Sequence, residues 1–132
     1  MYSLVVMTKT EDRASRIRQR LRQMPAELSE QLQRMVGVRE LLPGYVYHSR
    51  RRCGKPSCRC ACGQLHEAWV LATKVNGKPT TRSLDRKLRG RVQRLADSYR
   101  RYRQAQRAVR KLWAEATELS RELQRLMCQN PL

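Results

Sequence analysis

Apolar positions in the first third of the chain recur at steps of three or four. Ala14, Ile17, Leu21, Met24, Leu28, Leu32 and Met35 fall on one face of a helix. Thr8 and Glu11 have capping-box spacing at its start. Pro25 is expected to kink or restart this helix, and Pro43-Gly44 to end it. The period then changes. "YVYHS", "AWVLATKV" and "PTTRS" have strand composition, and Asn76-Gly77 between the last two is a strong hairpin signal. A three-stranded antiparallel sheet is predicted, its first two strands joined by a Cys-rich loop.

From Leu84 to Cys128 there is no Pro, and Gly90 is the single Gly. Ser83 is expected to cap this last helix, with Asp85 in its first turn. Leu88, Leu95, Tyr102, Val109, Ala116 and Leu123 repeat every seven residues, and Val92, Tyr99, Trp113 and Met127 fill the alternate seam. Leu112, Leu119 and Leu126 widen the stripe. Such a helix is roughly 67 Å long. Its stripe needs the N-terminal helix, a second copy of the chain, or both. The expected fold is therefore α+β and mostly helical. A small metal-stapled sheet (43–83) lies between an N-terminal helical segment (1–42) and a long coiled-coil helix (84–132).

Charge changes the picture next. The chain has 29 Lys plus Arg against 11 Asp plus Glu, a net +18, and no Phe. Its large apolar residues are spaced, so a thin core is expected. The excess sits in the middle of the chain and the first part of the last helix. A chain this basic usually meets a polyanion, nucleic acid before an anionic membrane. Arg50, Arg51, Arg52, Lys55 and Arg59 crowd the Cys-rich loop. Arg82, Arg86, Lys87, Arg89, Arg91 and Arg94 open the long helix, and six more cations follow from Arg100 to Lys111. Arg outnumbers Lys, as suits bidentate phosphate contact. A merely solvated helix face would alternate sign. "MYSLVVMTKT" lacks a charged n-region and is too short to span a bilayer, so a cytoplasmic protein without a membrane partner is expected.

The loop itself carries the chemistry. "CGKPSCRCACGQLH" spaces Cys53, Cys58, Cys60, Cys62 and His66 within fourteen positions. Clustered cysteines in the cytoplasm read as metal ligands before disulfides. Tetrahedral zinc takes four thiolate or imidazole donors. Three Cys with His66, or four Cys, each complete a closed structural site, and one Zn²⁺ per chain is expected. Iron–sulfur chemistry and reactive thiols are the competing readings. His48 and Cys128 read as bystanders.

"RRCGKPSCRCACGQLHEAW", with the hairpin and the Arg-rich helix after it, resembles a family of small bacterial and phage proteins of unknown function. A CGKPxCxC…G…H signature before an aromatic-rich strand marks that family. The resemblance spans roughly residues 40–110. It implies Cys53, Cys58, Cys60 and His66 as the shared ligand set, with Cys62 a departure. It also implies a phage or mobile-element setting and no catalytic activity.

Function must then come from the residues. There is no paired-carboxylate constellation, Gly-rich phosphate loop or Ser/His/Asp set, so an enzyme is not expected. The leading reading is a zinc-containing nucleic-acid-binding protein, with duplex DNA favoured over RNA. It would dimerise with a second copy or recruit a helical partner protein through the long helix. The alternative is a coiled-coil adaptor whose basic face docks on an acidic protein.

Overall fold

The computed structural model describes the backbone of residues 2–129 and the side chains of residues 9–129. Its elements run α1 (Tyr2–Val36), β1 (Tyr45–Arg51), a 3-10 turn (Arg59–Cys62), β2 (His66–Val75), β3 (Lys78–Ser83) and α2 (Arg86–Met127). The expected α+β order holds: a three-stranded antiparallel sheet between two helices. Among the described residues, no helix is long and apolar enough to cross a membrane. The chain gathers into two compact units, residues 1–37 with 104–132, and residues 38–103.

In the first unit, α1 and the second half of α2 pair antiparallel. Arg13 meets Glu122 at 2.8 Å and Arg20 meets Glu115 at 2.6 Å, so one numbering rises as the other falls. Arg20 also reaches Glu27, two turns along its own helix, at 2.5 Å. Ala14, Ile17, Met24 and Ala105 are the buried apolar side chains of this unit among the described residues. Removing Ile17 or Met24 from water contributes about 1.5–3 kcal/mol each. Leu21 and Leu28 are half-buried, but Leu32 is exposed, so the predicted α1 face closes over its middle and opens towards its end.

Several boundaries differ from expectation. α1 starts at Tyr2, which places Thr8 inside the helix instead of at its cap. The helix continues through Pro25 without restarting. Pro25 has no N–H to give the carbonyl four residues back, so the ladder loses one bond and the packed face holds the helix together. α1 ends at Val36, before Gly37, rather than at Pro43-Gly44. Ser83 belongs to β3, and the Asp85 carbonyl accepts the N–H of Arg89 at 3.0 Å, which makes Asp85 the residue that opens α2.

Within one chain the long stripe of α2 is covered only in part. Leu88, Trp113 and Met127 are exposed, while Ala96 and Ala105, which lie outside the heptad set, are buried. A straight helix drifts by about 20° per heptad against a strict seven-residue repeat. Over six heptads that drift is enough to move positions outside the strict repeat, such as Ala96 and Ala105, into buried settings.

The Arg13–Glu122 and Arg20–Glu115 clasps predict an acid limb. The guanidinium hydrogen-bonded to each glutamate holds its carboxyl below the usual range. A depressed carboxyl pKa stabilises the fold above the unfolded value, about 4.3, and that gain is lost as pH falls through the folded value. Helicity followed by circular dichroism should therefore melt at lower temperature below about pH 4. Glu115→Gln should flatten this acid limb, and added salt should shrink the difference, because both partners are partly solvated.

In the second unit β2 is central, flanked by β1 and β3. Asn76 and Gly77 both have positive φ, 51° and 78°, as a two-residue primed turn requires. Gly44 enters β1 at φ +152°, and a Cβ there would stand 2.6 Å from the Ala72 carbonyl oxygen. Val70, Leu71, Ala96 and Cys60 form the buried set. That core is as thin as the composition implies.

Candidate metal centre

The Cys-rich loop leaves the sheet where Arg51 of β1 pairs with His66 of β2. Cys53 lies two residues past the end of β1, and His66 is the first residue of β2, so the ladder itself brings the two ends of the motif together. Between them Gly54 (φ 82°) and Gly63 (φ 105°) turn the backbone in the left-handed region that other residues avoid. The Cys58 N–H donates to the Lys55 carbonyl at 3.2 Å, which closes a turn over Pro56. Cys58 then precedes the 3-10 turn that carries Cys60 inward.

Four donors converge. The Cys53 and Cys60 sulfurs are 3.4 Å apart, and Cys58 Sγ lies 3.1 Å from His66 Nε2. The ligand atoms of Cys53, Cys58, Cys60 and His66 all lie within 4.8 Å of one another. Four donors about a tetrahedral ion with 2.3 Å metal–sulfur bonds stand roughly 3.8 Å apart, so this cluster could hold a metal ion with small adjustments. Cys60 is 1% exposed, so one donor already lies out of water. Cys62 is exposed on the 3-10 turn and lies outside the cluster, as does Cys128. His48 stacks on Trp69 with ring centroids 4.9 Å apart and approaches Glu67 at 3.7 Å.

The local backbone favours thiolates. The Lys55 N–H and the Cys60 thiol pull the Cys53 thiol below its ordinary value. The Cys60 N–H and the Cys60 thiol do the same for Cys58. For Cys60 the largest single influence, the Cys53 N–H donated to its sulfur at 3.3 Å, pulls down. Burial and the two neighbouring sulfurs together outweigh it and push the thiol up. A divalent cation would relieve that sulfur–sulfur repulsion. The donor set therefore fits a soft or borderline metal.

The predicted cations are exposed on the loop, on the strand ends and along the start of α2. Arg50, Arg51, Arg52, Lys55 and Arg59 are all exposed, as are Arg82, Arg86, Lys87, Arg89, Arg91 and Arg94. Three of them have protein partners: Arg50 meets Glu67 at 3.0 Å, Arg91 approaches Glu40 at 3.8 Å, and Arg89 lies 4.7 Å above the Trp69 ring. Leu84 N–H donates to the Trp69 carbonyl at 2.8 Å, so α2 starts at the same end of the sheet as the loop. Trp69 is three residues along β2 from His66, about 10 Å. The Arg89–Trp69 stack was not legible beforehand, because the two residues are twenty positions apart and only the hairpin brings them together.

No curated protein and no solved structure matches the chain. A family model does match, over residues 14–94, a span that begins within α1 and ends in the early turns of α2. It reaches further into α1 and less far along α2 than the 40–110 that the signature implied. The whole Cys/His loop, the sheet and the cations from Arg50 to Arg94 lie inside it, while the basic positions from Arg100 to Lys111 lie outside. The chain belongs to the family described as a domain of unknown function, DUF6788.

Proposed function

We propose that this protein is a non-enzymatic, zinc-containing DNA-binding protein. One Zn²⁺ per chain is held by Cys53, Cys58, Cys60 and His66. Four protein donors leave no open position for water, so the metal supplies rigidity rather than chemistry. Three thiolates and one Zn²⁺ carry a net −1 together, and one Arg offsets that. The remaining loop cations face outward and meet phosphates with Arg86, Lys87 and Arg89 from the same end of the sheet. The observation that carries this reading is the exposure of Arg52, Lys55 and Arg59 on the very loop that gathers the four donors, with Arg51 exposed at the end of β1 where that loop begins.

Binding to a random duplex across ionic strength tests it. A steep fall of log K with log salt is expected, with each phosphate contact adding about 0.9 to the slope. No binding at low salt would instead favour an adaptor. One observation speaks for that second reading: Trp113 is 69% exposed beside an apolar groove lined by Leu21, Met24, Leu28 and Leu112. In either reading the two-helix unit pairs with a second copy or with a helical partner.

A further inference from the structure

At the end of the sheet away from the Cys-rich loop lies an open groove of about 510 Å³. Tyr45 of β1 and Tyr99 of α2 line it, with Ala72, Lys74, Thr80 and Thr81. Tyr45 is 64% exposed, and Tyr47, two residues on and therefore on the same face, is 36% exposed. Their ring centroids are 5.8 Å apart with a 37° tilt. The register puts Ala72 opposite Tyr45, so Lys74 shares that face just beyond it. Ser49 and Arg51 continue that row towards the loop end of β1. The two rings thus have Lys74 beside them on the groove side, and Arg51 stands beyond Ser49 on the loop side.

Nothing in the fold needs these two rings in water. Exposing them has a solvation cost, and the surrounding charge identifies what covers them. An aromatic ring on a strand, repeated at two-residue spacing and flanked by cations, is the arrangement that stacks bases while phosphates are held at the edges. A duplex cannot use it, because its bases are already stacked inside. No acidic residue lines the groove. Its size suits one planar base rather than a folded partner.

We infer that Tyr45, Tyr47 and the groove walled by Tyr99 bind the bases of an unpaired nucleic-acid strand. This inference rests on the nucleic-acid reading and adds a second site to it, at the opposite end of the sheet from the loop cations. The loop takes duplex phosphate, and the groove takes an extruded or single-stranded base.

The test uses the full, zinc-loaded chain and three labelled probes of equal length: a fifteen-nucleotide oligothymidylate, its abasic counterpart, and a duplex. The base-bearing strand is expected to bind roughly 5- to 100-fold tighter than the abasic one. Tyr45→Ala with Tyr47→Ala should abolish that preference and leave duplex affinity unchanged. Tyr45→Phe with Tyr47→Phe should keep it, since the rings remain. Equal affinity of the wild-type chain for the base-bearing and abasic strands overturns the inference while leaving duplex binding standing. So does a folded alanine pair that keeps the preference. Failure to bind any of the three probes overturns the nucleic-acid reading itself. Should the alanine pair fail to melt cooperatively, the wild-type comparison with the abasic strand decides alone.

Discussion

Chelating the metal is expected to unfold the sheet of residues 38–103. Its buried set comprises Val70, Leu71, Ala96 and Cys60, and Cys60 is itself one of the four donors. A core that small cannot offset the chain entropy of ordering three strands and a fourteen-residue loop, at about 1–2 kcal/mol per residue. Structural zinc contributes about 10–16 kcal/mol in small domains at neutral pH. That is as large as the whole stability of a typical domain, about 5–15 kcal/mol. Loss of strand signal and of the Trp69 environment should follow chelation, and added Zn²⁺ should restore both. Cys60→Ser should behave like the chelated chain, and Cys62→Ser like wild type, since Cys62 is exposed and lies outside the cluster. A metal-free chain with an intact cooperative melt would show that the four residues are packing groups only.

The second large effect is electrostatic. Changing Arg51, Arg52 and Arg59 together to Ala removes three exposed cations in and beside the loop, none of which is a metal donor. If all three touch phosphate, the salt slope on duplex DNA should flatten by about 2.7. At 0.1 M salt, one decade below the 1 M reference, that slope difference weakens binding about 500-fold. Zinc content and melting temperature should stay near wild type. Arg50 is a poorer choice for this test, because Glu67 already holds it at 3.0 Å. An unchanged slope in a folded, metal-loaded triple variant would move the phosphate contact away from the loop.

Much of this was legible in the sequence, for local reasons. The hairpin was readable because Asn76-Gly77 satisfies two positive φ values by residue type alone. The donor cluster was readable because its members lie within fourteen positions, so few backbone paths connect them. Which four gather was not settled by spacing: Cys62 is nearer in sequence to the other cysteines than His66 is, yet the Arg51–His66 pairing sets the imidazole beside Cys58 and Cys62 stays outside. What stayed hidden depends on neighbours distant in sequence. The burial of Ala96 and Ala105 follows from where other segments approach α2, which a count of large apolar residues cannot show. The cap was misplaced for a related reason. Ser83 has the right residue type, but strand pairing to Val70 claims it first, and Asp85 opens the helix instead. Tyr99 looked like a seam residue, yet it lines the groove beside Tyr45.

The central claim is that a bound metal holds the loop so that its cations can meet DNA. One titration tests it most directly. Affinity for a thirty-base-pair duplex is measured by fluorescence anisotropy on a single sample. The chain is taken first as purified with zinc, then stripped by a chelator that is dialysed away, then resupplied with Zn²⁺. Binding with a steep salt slope, its collapse on stripping and its recovery on resupply are the predicted result. Equal affinity and equal slope in the stripped chain would contradict the claim.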